Sequence, residues 1–202
     1  MPRLTFWFEF ASTYSYLSAM RIEGLALAHG VEIAWRPFLL GPIFTAQGWE
    51  TSPFNIYPAK GRYMWRDMDR LAKARGLPPV RRPEPFPQNG LLAARLATIG
   101  TEQSWGPDFV RAVYAAEFAE GRDISDPAVL ADCLANSAAQ GTDLLQRARV
   151  DQTIKDRLRA ATTEAAQLGV FGAPSFVTED GEIFWGDDRL DAAIDWASSH
   201  AV

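Results

Sequence analysis

The chain has 202 residues, of which 48% are hydrophobic and 22% are charged, and its net charge is −5. This composition is typical of a globular domain that buries a full core, and the acidic balance argues against nucleic acid or an anionic membrane as the main partner. One cysteine and two histidines exclude an intramolecular disulfide and a metal centre built from several such residues. We expect no metal, no membrane-spanning segment and, since no signal-peptide pattern is present, a cytoplasmic location.

The first 38 residues have the pattern of a β-strand, an α-helix and a second β-strand. In residues 3–10, Leu and Phe alternate with other residues, which predicts a strand. A helix is predicted over 13–29, ending at Gly30, and residues 31–38 alternate again. This order predicts two parallel strands joined by a right-handed crossover.

The middle of the chain is predicted to be mainly helical. Residues 41–57 contain glycines and prolines without a sustained period, which predicts a long irregular loop, and a helix follows from Lys60 to Gly76. Five prolines in 77–90 forbid a regular element there. Further helices are predicted over 90–100, 105–120, 127–140, 142–149 and 151–168.

The last part of the chain returns to β-structure. Residues 175–178 and 182–185 are apolar runs on either side of Glu179-Asp180-Gly181, a spacing typical of a β-hairpin, and a final helix is predicted over 188–199. Neither end of the chain has enough strands to close a core alone. We therefore predict a helical block inserted into a small α/β scaffold.

The turn after the first strand contains the first candidate for chemistry, Ser12. In a βαβ unit, ligands bind where the strand ends and the helix begins, because free N–H groups there favour negative charge. The alternative is that Ser12 only caps the helix, an interaction that stabilises a helix by about 1 kcal/mol.

A second candidate is Ala173-Pro174, directly before the hairpin. A proline that follows a small residue at a strand entrance can form a cis peptide bond, although only about 5–6% of such bonds are cis. The alternative is a trans proline that merely starts the strand.

Charged residues supply the remaining candidates. The adjacent carboxylates of Asp187 and Asp188 suggest acid–base catalysis or the binding of an ammonium group, whereas one of them could instead cap the last helix. Where the middle loop leads into the next helix, Lys60 could pair with a ligand carboxylate or remain solvated.

Four segments, taken in order, resemble one known family. They are the turn Ser12-Thr13-Tyr14-Ser15, the helical block, the loop Gly172-Ala173-Pro174 and the closing motif Trp185-Gly186-Asp187-Asp188-Arg189. Their order and spacing, over essentially the whole chain, are similar to those of the 2-hydroxychromene-2-carboxylate isomerases and the related kappa-class glutathione transferases. The family often has proline where this chain has Thr13, so the first helical residue differs while the serine hydroxyl is kept.

This resemblance implies an α/β thioredoxin-like domain with an inserted all-helical domain, as in the disulfide oxidoreductase DsbA. We assign the thioredoxin-like domain to residues 1–76 and 169–202 and the helical insertion to 77–168. The resemblance also implies glutathione as the cofactor and a homodimer as the assembly.

The resemblance further implies the residues of a glutathione site. The glutathione thiol would contact Ser12, and the cysteinyl backbone would pair with Ala173, beside a cis bond to Pro174. The γ-glutamyl group would contact the closing motif at Asp187, Asp188 and Arg189. Two further residues in the middle of the chain would line the glutathione site, namely Asn55 and Lys60.

The implied activity is the glutathione-dependent isomerisation of a 2-hydroxychromene-2-carboxylate in aromatic catabolism. A hydroxyl that donates to sulfur lowers the pKa of the thiol, about 8.5 in free cysteine, so that the thiolate adds reversibly to the substrate. The alternatives are a kappa-class-like transferase that conjugates an electrophile, and a glutathione-binding protein without turnover. A disulfide oxidoreductase is disfavoured because the turn lacks a Cys-x-x-Cys pair, and Cys133 is expected to be a packed apolar residue.

The partner implied for this site is a small aromatic molecule. Several aromatic residues lie on or near the predicted loops and would suit a flat substrate, although aromatic residues also fill ordinary cores. These are Trp49, Phe54, Tyr57, Phe86 and Trp185.

Overall fold

The structure, a computed structural model, describes residues 1–137, 139 and 143–200, and contains a four-stranded mixed sheet. The strands are β1 (Arg3–Phe8), β2 (Glu32–Pro37), β3 (Ser175–Thr178) and β4 (Ile183–Trp185), in the spatial order β2-β1-β3-β4. β1 pairs parallel with β2 and antiparallel with β3, and β3 pairs antiparallel with β4. The predicted parallel pair and the predicted hairpin are both confirmed.

Eleven helices are described, and most lie between β2 and β3. A π-helical turn, Ala115–Ala119, extends α7, and a 3₁₀ turn, Asp187–Arg189, precedes α11. The helices are α1 (Thr13–Ala19), α2 (Ile22–His29), α3 (Leu40–Ala46), α4 (Pro53–Ile56), α5 (Pro58–Ala74), α6 (Leu91–Gly100), α7 (Gly106–Tyr114), α8 (Pro127–Asn136), α9 (Leu144–Val150), α10 (Gln152–Gln167) and α11 (Leu190–Ser199).

The prediction of one helix over 13–29 is wrong, because the backbone breaks between α1 and α2. Arg21 has a non-helical backbone, with φ −129° and ψ −15°. Its guanidinium donates to the main-chain oxygen of Asp187 at 2.9 Å. Since Asp187 lies far away in the sequence, helical periodicity could not reveal this contact.

The prediction of an irregular loop over 41–57 is also wrong, because α4 lies within it and α3 extends into it as far as Ala46. Pro53 is the first residue of α4, and Pro42 lies in the first turn of α3. Proline is tolerated in a first turn because its missing N–H would have no partner in the helix. By contrast, residues 77–90, all described, contain neither helix nor strand, as their prolines predicted.

The helices predicted over 127–140 and 142–149 correspond to α8 and α9. α8 ends at Asn136 and α9 begins at Leu144. The predicted boundary residues 138, 140, 141 and 142 lie outside the described residues.

Side chains of β1 divide between two apolar cores. The ring of Phe6 lies 5.0 Å from that of Trp35 and 5.4 Å from that of Phe176, and Phe8 continues this larger core toward Tyr114 of α7. Trp7 belongs to a smaller core that also includes Phe38. Alternation along a strand explains why neighbouring residues enter different cores.

The helices that follow the proline-rich segment pack on the larger core, and α10 also contributes Ala161 and Ala165 to the smaller core. The described part of 77–168 contains helices and no strand. Its assignment to a separate inserted domain stays a prediction. In the part of the chain that the structure describes, no helix is both long and apolar enough to cross a membrane.

The core contact between Phe6 and Phe176 gives a test of the fold. Phe176 is fully buried, so Phe176→Ala should lower the free energy of unfolding by about 3–5 kcal/mol through lost burial and the cavity left behind. Phe171 is 48% exposed, and Phe171→Ala should change stability by no more than about 0.5 kcal/mol. Urea titration of both variants measures the difference, and equal losses would contradict the assigned core.

Candidate functional site

A cavity of about 660 Å³ lies where β1 ends and β3 begins. Its wall includes the β1–α1 turn, α3 with the loop that follows it, the start of α5, the proline-rich segment and the entrance to β3. The lining residues that matter below are Glu9, Ser12, Phe44, Trp49, Glu50, Phe54, Lys60, Phe86, Gln88, Phe171, Gly172, Ala173 and Trp185. The cavity therefore brings together Ser12, Lys60 and Ala173 of the predicted site.

Ser12 caps α1 and also lines the cavity. Its backbone is extended, with φ −88° and ψ 110°, and its Oγ accepts a hydrogen bond from the N–H of Ser15 at 3.2 Å. The same hydroxyl donates to the main-chain oxygen of Ala173 at 2.8 Å. Capping is therefore present, and it does not exclude a contact with a ligand, because the hydroxyl lies in the cavity wall.

The loop before β3 supplies the main-chain oxygen that accepts the Ser12 hydrogen bond. The bond between Ala173 and Pro174 is cis, as the family resemblance implied. The main-chain oxygen of Pro174 accepts from the N–H of Gly186 at 3.0 Å. This bond ties the loop to the closing motif.

Lys60 and Asn55 are separated by the structure. Lys60 lines the cavity, and its ammonium lies 4.7 Å from the ring centre of Tyr57; within the described residues it forms no ion pair. Asn55 lines a smaller neighbouring cavity of about 360 Å³ and donates to the main-chain oxygen of Phe86 at 3.2 Å. Phe86 lines both cavities, so Asn55 lies behind the wall of the larger one.

Asp187 is buried, and its carboxylate is engaged inside the protein. One oxygen accepts from the hydroxyl of Ser18 at 2.8 Å, and the other accepts from the guanidinium of Arg75 at 2.5 Å. Arg21 adds a second positively charged contact at 3.6 Å. Asp187 therefore joins α1 and α5 to the closing motif and does not line the cavity.

Asp188 and Arg189 lie on the surface of the 3₁₀ turn. Their side chains are more than half exposed, and the Arg189 guanidinium lies 3.8 Å from the Asp188 carboxylate. Exposed pairs of this kind contribute little to stability, so both side chains remain available to a ligand at the edge of the closing motif.

Aromatic side chains cover much of the cavity wall. Four of the five aromatic residues suggested by the sequence line it, and Tyr57 does not. Sequence reasoning missed Phe44 and Phe171, whose rings lie 5.6 Å from Trp49 and 4.8 Å from Trp185. Phe171 and Trp185 are each about half exposed, which is unusual for large aromatic pairs and typical of a binding surface.

Sequence reasoning also missed Glu9. Burial raises the pKa of its carboxyl to about 7, against a lowering effect from the main-chain N–H of Ala11. The sequence signal that could have revealed Glu9 is an acidic residue at the carboxyl end of a strand with apolar neighbours on both sides, Trp7-Phe8 before it and Phe10-Ala11 after it. A carboxyl that titrates near neutral pH in a cavity wall is a candidate for proton transfer.

Comparisons with known proteins agree with this geometry. Residues 3–195 match the family model described as a DSBA-like thioredoxin domain. The chain belongs to this family. It is 32% identical over 189 residues to a 2-hydroxychromene-2-carboxylate isomerase of Sphingobium xenophagum, which covers 93% of this chain and 94% of the relative.

Two further comparisons extend this result. The chain is 23% identical to glutathione S-transferase kappa 1 of Caenorhabditis elegans, over 96% of this chain and 90% of the relative. A solved 2-hydroxychromene-2-carboxylate isomerase shares the fold, with a TM-score of 0.82 and 23% identity over 93% of this chain and 90% of that one. The predicted resemblance and fold class are confirmed, and the relatives indicate an enzyme of the isomerase or transferase type.

The turn distinguishes this DSBA-like chain from a disulfide oxidoreductase. Ser12 and Ser15 stand where such enzymes need two cysteines. The single cysteine, Cys133, is buried in the larger core, and burial raises the pKa of its thiol to about 11. A thiol of that pKa is protonated at neutral pH and unreactive.

The ion pairs of Asp187 give a second test. Asp187→Asn should lower the free energy of unfolding by about 2–3 kcal/mol, because two arginines lose their shared carboxylate. Breaking a fully buried ion pair costs ~3–5 kcal/mol. The expected loss is smaller here because both arginines retain contact with water. Asp188→Asn, which removes an exposed carboxylate from the next residue, should cost no more than about 0.5 kcal/mol. Urea unfolding compares the two, and a larger loss in Asp188→Asn would refute the assigned network.

Proposed function

We propose that this protein binds reduced glutathione in the 660 Å³ cavity and catalyses the isomerisation of a 2-hydroxychromene-2-carboxylate, or a close aromatic analogue, to its ring-opened trans alkene. The observation that carries this proposal is that Ser12, Ala173 and Lys60 line one aromatic-walled cavity. The names of the relatives support the substrate class.

The residues of the cavity fit glutathione. A volume of this size is within the usual ~300–1,000 Å³ of ligand pockets and leaves space for a second, flat molecule. A tripeptide needs main-chain partners, which the loop at Ala173 offers, and cationic partners for its carboxylates. Lys60 lines the cavity without a carboxylate of its own in the described chain, so it suits one of these carboxylates.

We assign the γ-glutamyl end of glutathione to the edge formed by the closing motif. The bond from Gly186 to Pro174 brings this motif beside the cis-proline loop. Asp188 would bind the ammonium group, and Arg189 would bind the carboxylate. Asp187 would hold the turn in place through Arg75 and Ser18, and Asn55 would support the cavity wall through Phe86.

Ser12 would hold the sulfur. Its proton is donated to the Ala173 oxygen in this structure, so binding of a thiolate requires the hydroxyl to rotate from a neutral acceptor to a charged one. A hydrogen bond to a charged group contributes about 1 kcal/mol more than a neutral one, which favours the thiolate over the thiol. Glutathione then supplies a thiolate that adds reversibly to the substrate alkene and leaves after rotation about the former double bond.

The aromatic wall would bind the flat part of the substrate. Phe44, Trp49, Phe171 and Trp185 offer faces and edges on which an aromatic ring stacks. Glycine at position 172 leaves room for the Trp185 indole, since a Cβ there would meet its Nε1 at 2.4 Å. An apolar wall also lowers the local water content, which strengthens hydrogen bonds to the developing charge.

Isomerisation is preferred over conjugation because three relatives of the chain are isomerases by name. The homodimer implied by the family resemblance and the predicted cytoplasmic location remain part of the proposal.

Turnover with a limited amount of glutathione tests the proposed function. With substrate in large excess over glutathione, we expect formation of the trans alkene to continue well beyond one equivalent, while the titre of free thiol stays constant. Consumption of one thiol per product would instead show a transferase. Glutathione binding in calorimetry without either reaction would show a binding protein and contradict the proposal.

Ser12→Ala separates a cap from a sulfur-binding group. Loss of the cap should cost about 1 kcal/mol of stability, and loss of the charge-assisted bond should raise the pKa of the bound thiol by about 1 and lower turnover at pH 7 about tenfold. Activity should recover at higher pH, where the thiol ionises without help.

Ultraviolet absorbance of the bound thiolate across pH measures this effect directly. Ser15→Ala is the matched control, since it removes a hydroxyl from the same helical turn but outside the cavity wall. Identical thiolate titrations in wild type and Ser12→Ala would leave Ser12 as a cap alone.

A further inference from the structure

Glu9 and Ser12 share one turn of the cavity wall. The main-chain oxygen of Glu9 accepts from the N–H of Ser12 at 3.0 Å and from the hydroxyl of Tyr114 at 2.9 Å. These two bonds fix the backbone of Glu9 between the first turn of α1 and α7. Glu9 lines the same cavity as Ser12, so a molecule beside the Ser12 hydroxyl also lies near Glu9.

Glu9 is largely surrounded by protein, yet it is one of the residues that line the cavity. Glu9 is partly exposed, and its oxygens are not among the sealed atoms without partners in the described chain. Glu117, on the π-helical turn, provides the contrast, because both of its carboxyl oxygens are sealed and unpaired. Glu9 lines the cavity and Glu117 does not, so Glu9 is the better placed of these two acids to exchange a proton with a ligand.

We propose that Glu9 is the general base and acid that opens the hemiketal ring of the substrate, an inference that rests on the proposed function. A 2-hydroxychromene-2-carboxylate is a cyclic hemiketal, and its ring must open before an alkene can rotate. The carboxyl of Glu9 is placed in the cavity wall to move the one proton that this step requires.

The step balances with a single carboxyl. The Glu9 carboxylate takes the proton of the hemiketal hydroxyl, a C=O double bond forms, and the bond between that carbon and the ring oxygen breaks. The ring oxygen leaves with the electron pair as a phenolate and takes the proton back from Glu9. The carboxylate is regenerated, and no oxidant, reductant or cofactor takes part.

The acidity of Glu9 suits this role. A pKa of about 7 leaves a sizeable fraction ionised at neutral pH, and the protonated form is acidic enough to return its proton to a phenolate, which is the balance expected of an efficient acid–base group. The titratable groups around it are Tyr114 and Glu117 on the helical side, and Lys60 and Glu50 elsewhere in the cavity wall. Burial and the nearby Glu9 carboxyl raise the pKa of Glu117 well above its usual value, which favours the neutral form of Glu117.

Ring opening in the absence of glutathione tests the proposal, because the step does not need the thiol. We expect wild-type protein to accelerate the appearance of the ring-opened form, with a rate that rises with pH through about 7 as Glu9 ionises. Glu9→Gln should lower this rate about 100-fold or more, and Glu9→Asp should restore part of it. Glu117→Gln, the matched control in a neighbouring buried acid, should keep the wild-type rate and pH profile.

Protein stability gives a readout that is independent of activity. The pKa of Glu9 is raised above its usual value of 4.5 to about 7, so the folded state holds this proton more tightly than the unfolded state. Stability from the neutral carboxyl is present at low pH and is lost as pH rises from about 4.5 to 7. Glu9→Gln stays neutral, so its stability relative to wild type should increase across this range.

The outcomes distinguish this proposal from the proposed function. Equal ring-opening rates for wild type and Glu9→Gln, or no acceleration by wild type, would overturn the role of Glu9 even if glutathione-dependent turnover is found. Acceleration of ring opening that depends on Glu9, without any trans product on addition of glutathione, would overturn the proposed isomerase and leave the proton-transfer step established.

Discussion

Side chains along β1 alternate between two cores, and this alternation determines where the residues of the proposed active site lie. Phe6 and Phe8 fill the larger core, and Trp7 fills the smaller one. Because β1 lies between β2 and β3, a shift by one residue would exchange the two sets of side chains and expose aromatic rings. The register therefore fixes the position at which the chain leaves the sheet, and with it the placement of Glu9 and Ser12 in the cavity wall.

Two polar contacts between distant segments complete the site. Ser12 and Ala173 are 161 positions apart and are joined by one hydrogen bond, while Arg75 and Asp187 are 112 positions apart and form a partly buried ion pair. Neither contact exists without the folded sheet and α5. The proposed ligand-binding edge thus depends on tertiary structure: the ion pair holds the closing motif in place, and the Ser12 hydrogen bond joins the β1–α1 turn to the loop before β3.

Much of the fold could be predicted from the sequence, because alternation and an Asp-Gly turn are local signals that specify strands and a hairpin. Two features could not be predicted. Prolines in 41–57 indicate a loop unless it is known that they lie in the first turn of a helix. The break between α1 and α2 at Arg21 depends on a partner residue near the other end of the chain. In the site, Ser12 and Ala173 were found through local motifs. The properties of Glu9 and Asp187 come from burial and ion pairs supplied by remote residues, which no local pattern contains.

The position of the glutathione sulfur tests the central claim most directly. A crystal structure of the protein with reduced glutathione should show the sulfur within hydrogen-bonding distance of the Ser12 Oγ, with the cysteinyl backbone alongside Ala173. The Ser12 hydroxyl should then have turned away from the Ala173 oxygen, to which it donates at 2.8 Å in the present structure. Glutathione bound instead in the smaller cavity beside Asn55, or with its sulfur directed away from Ser12, would contradict the account.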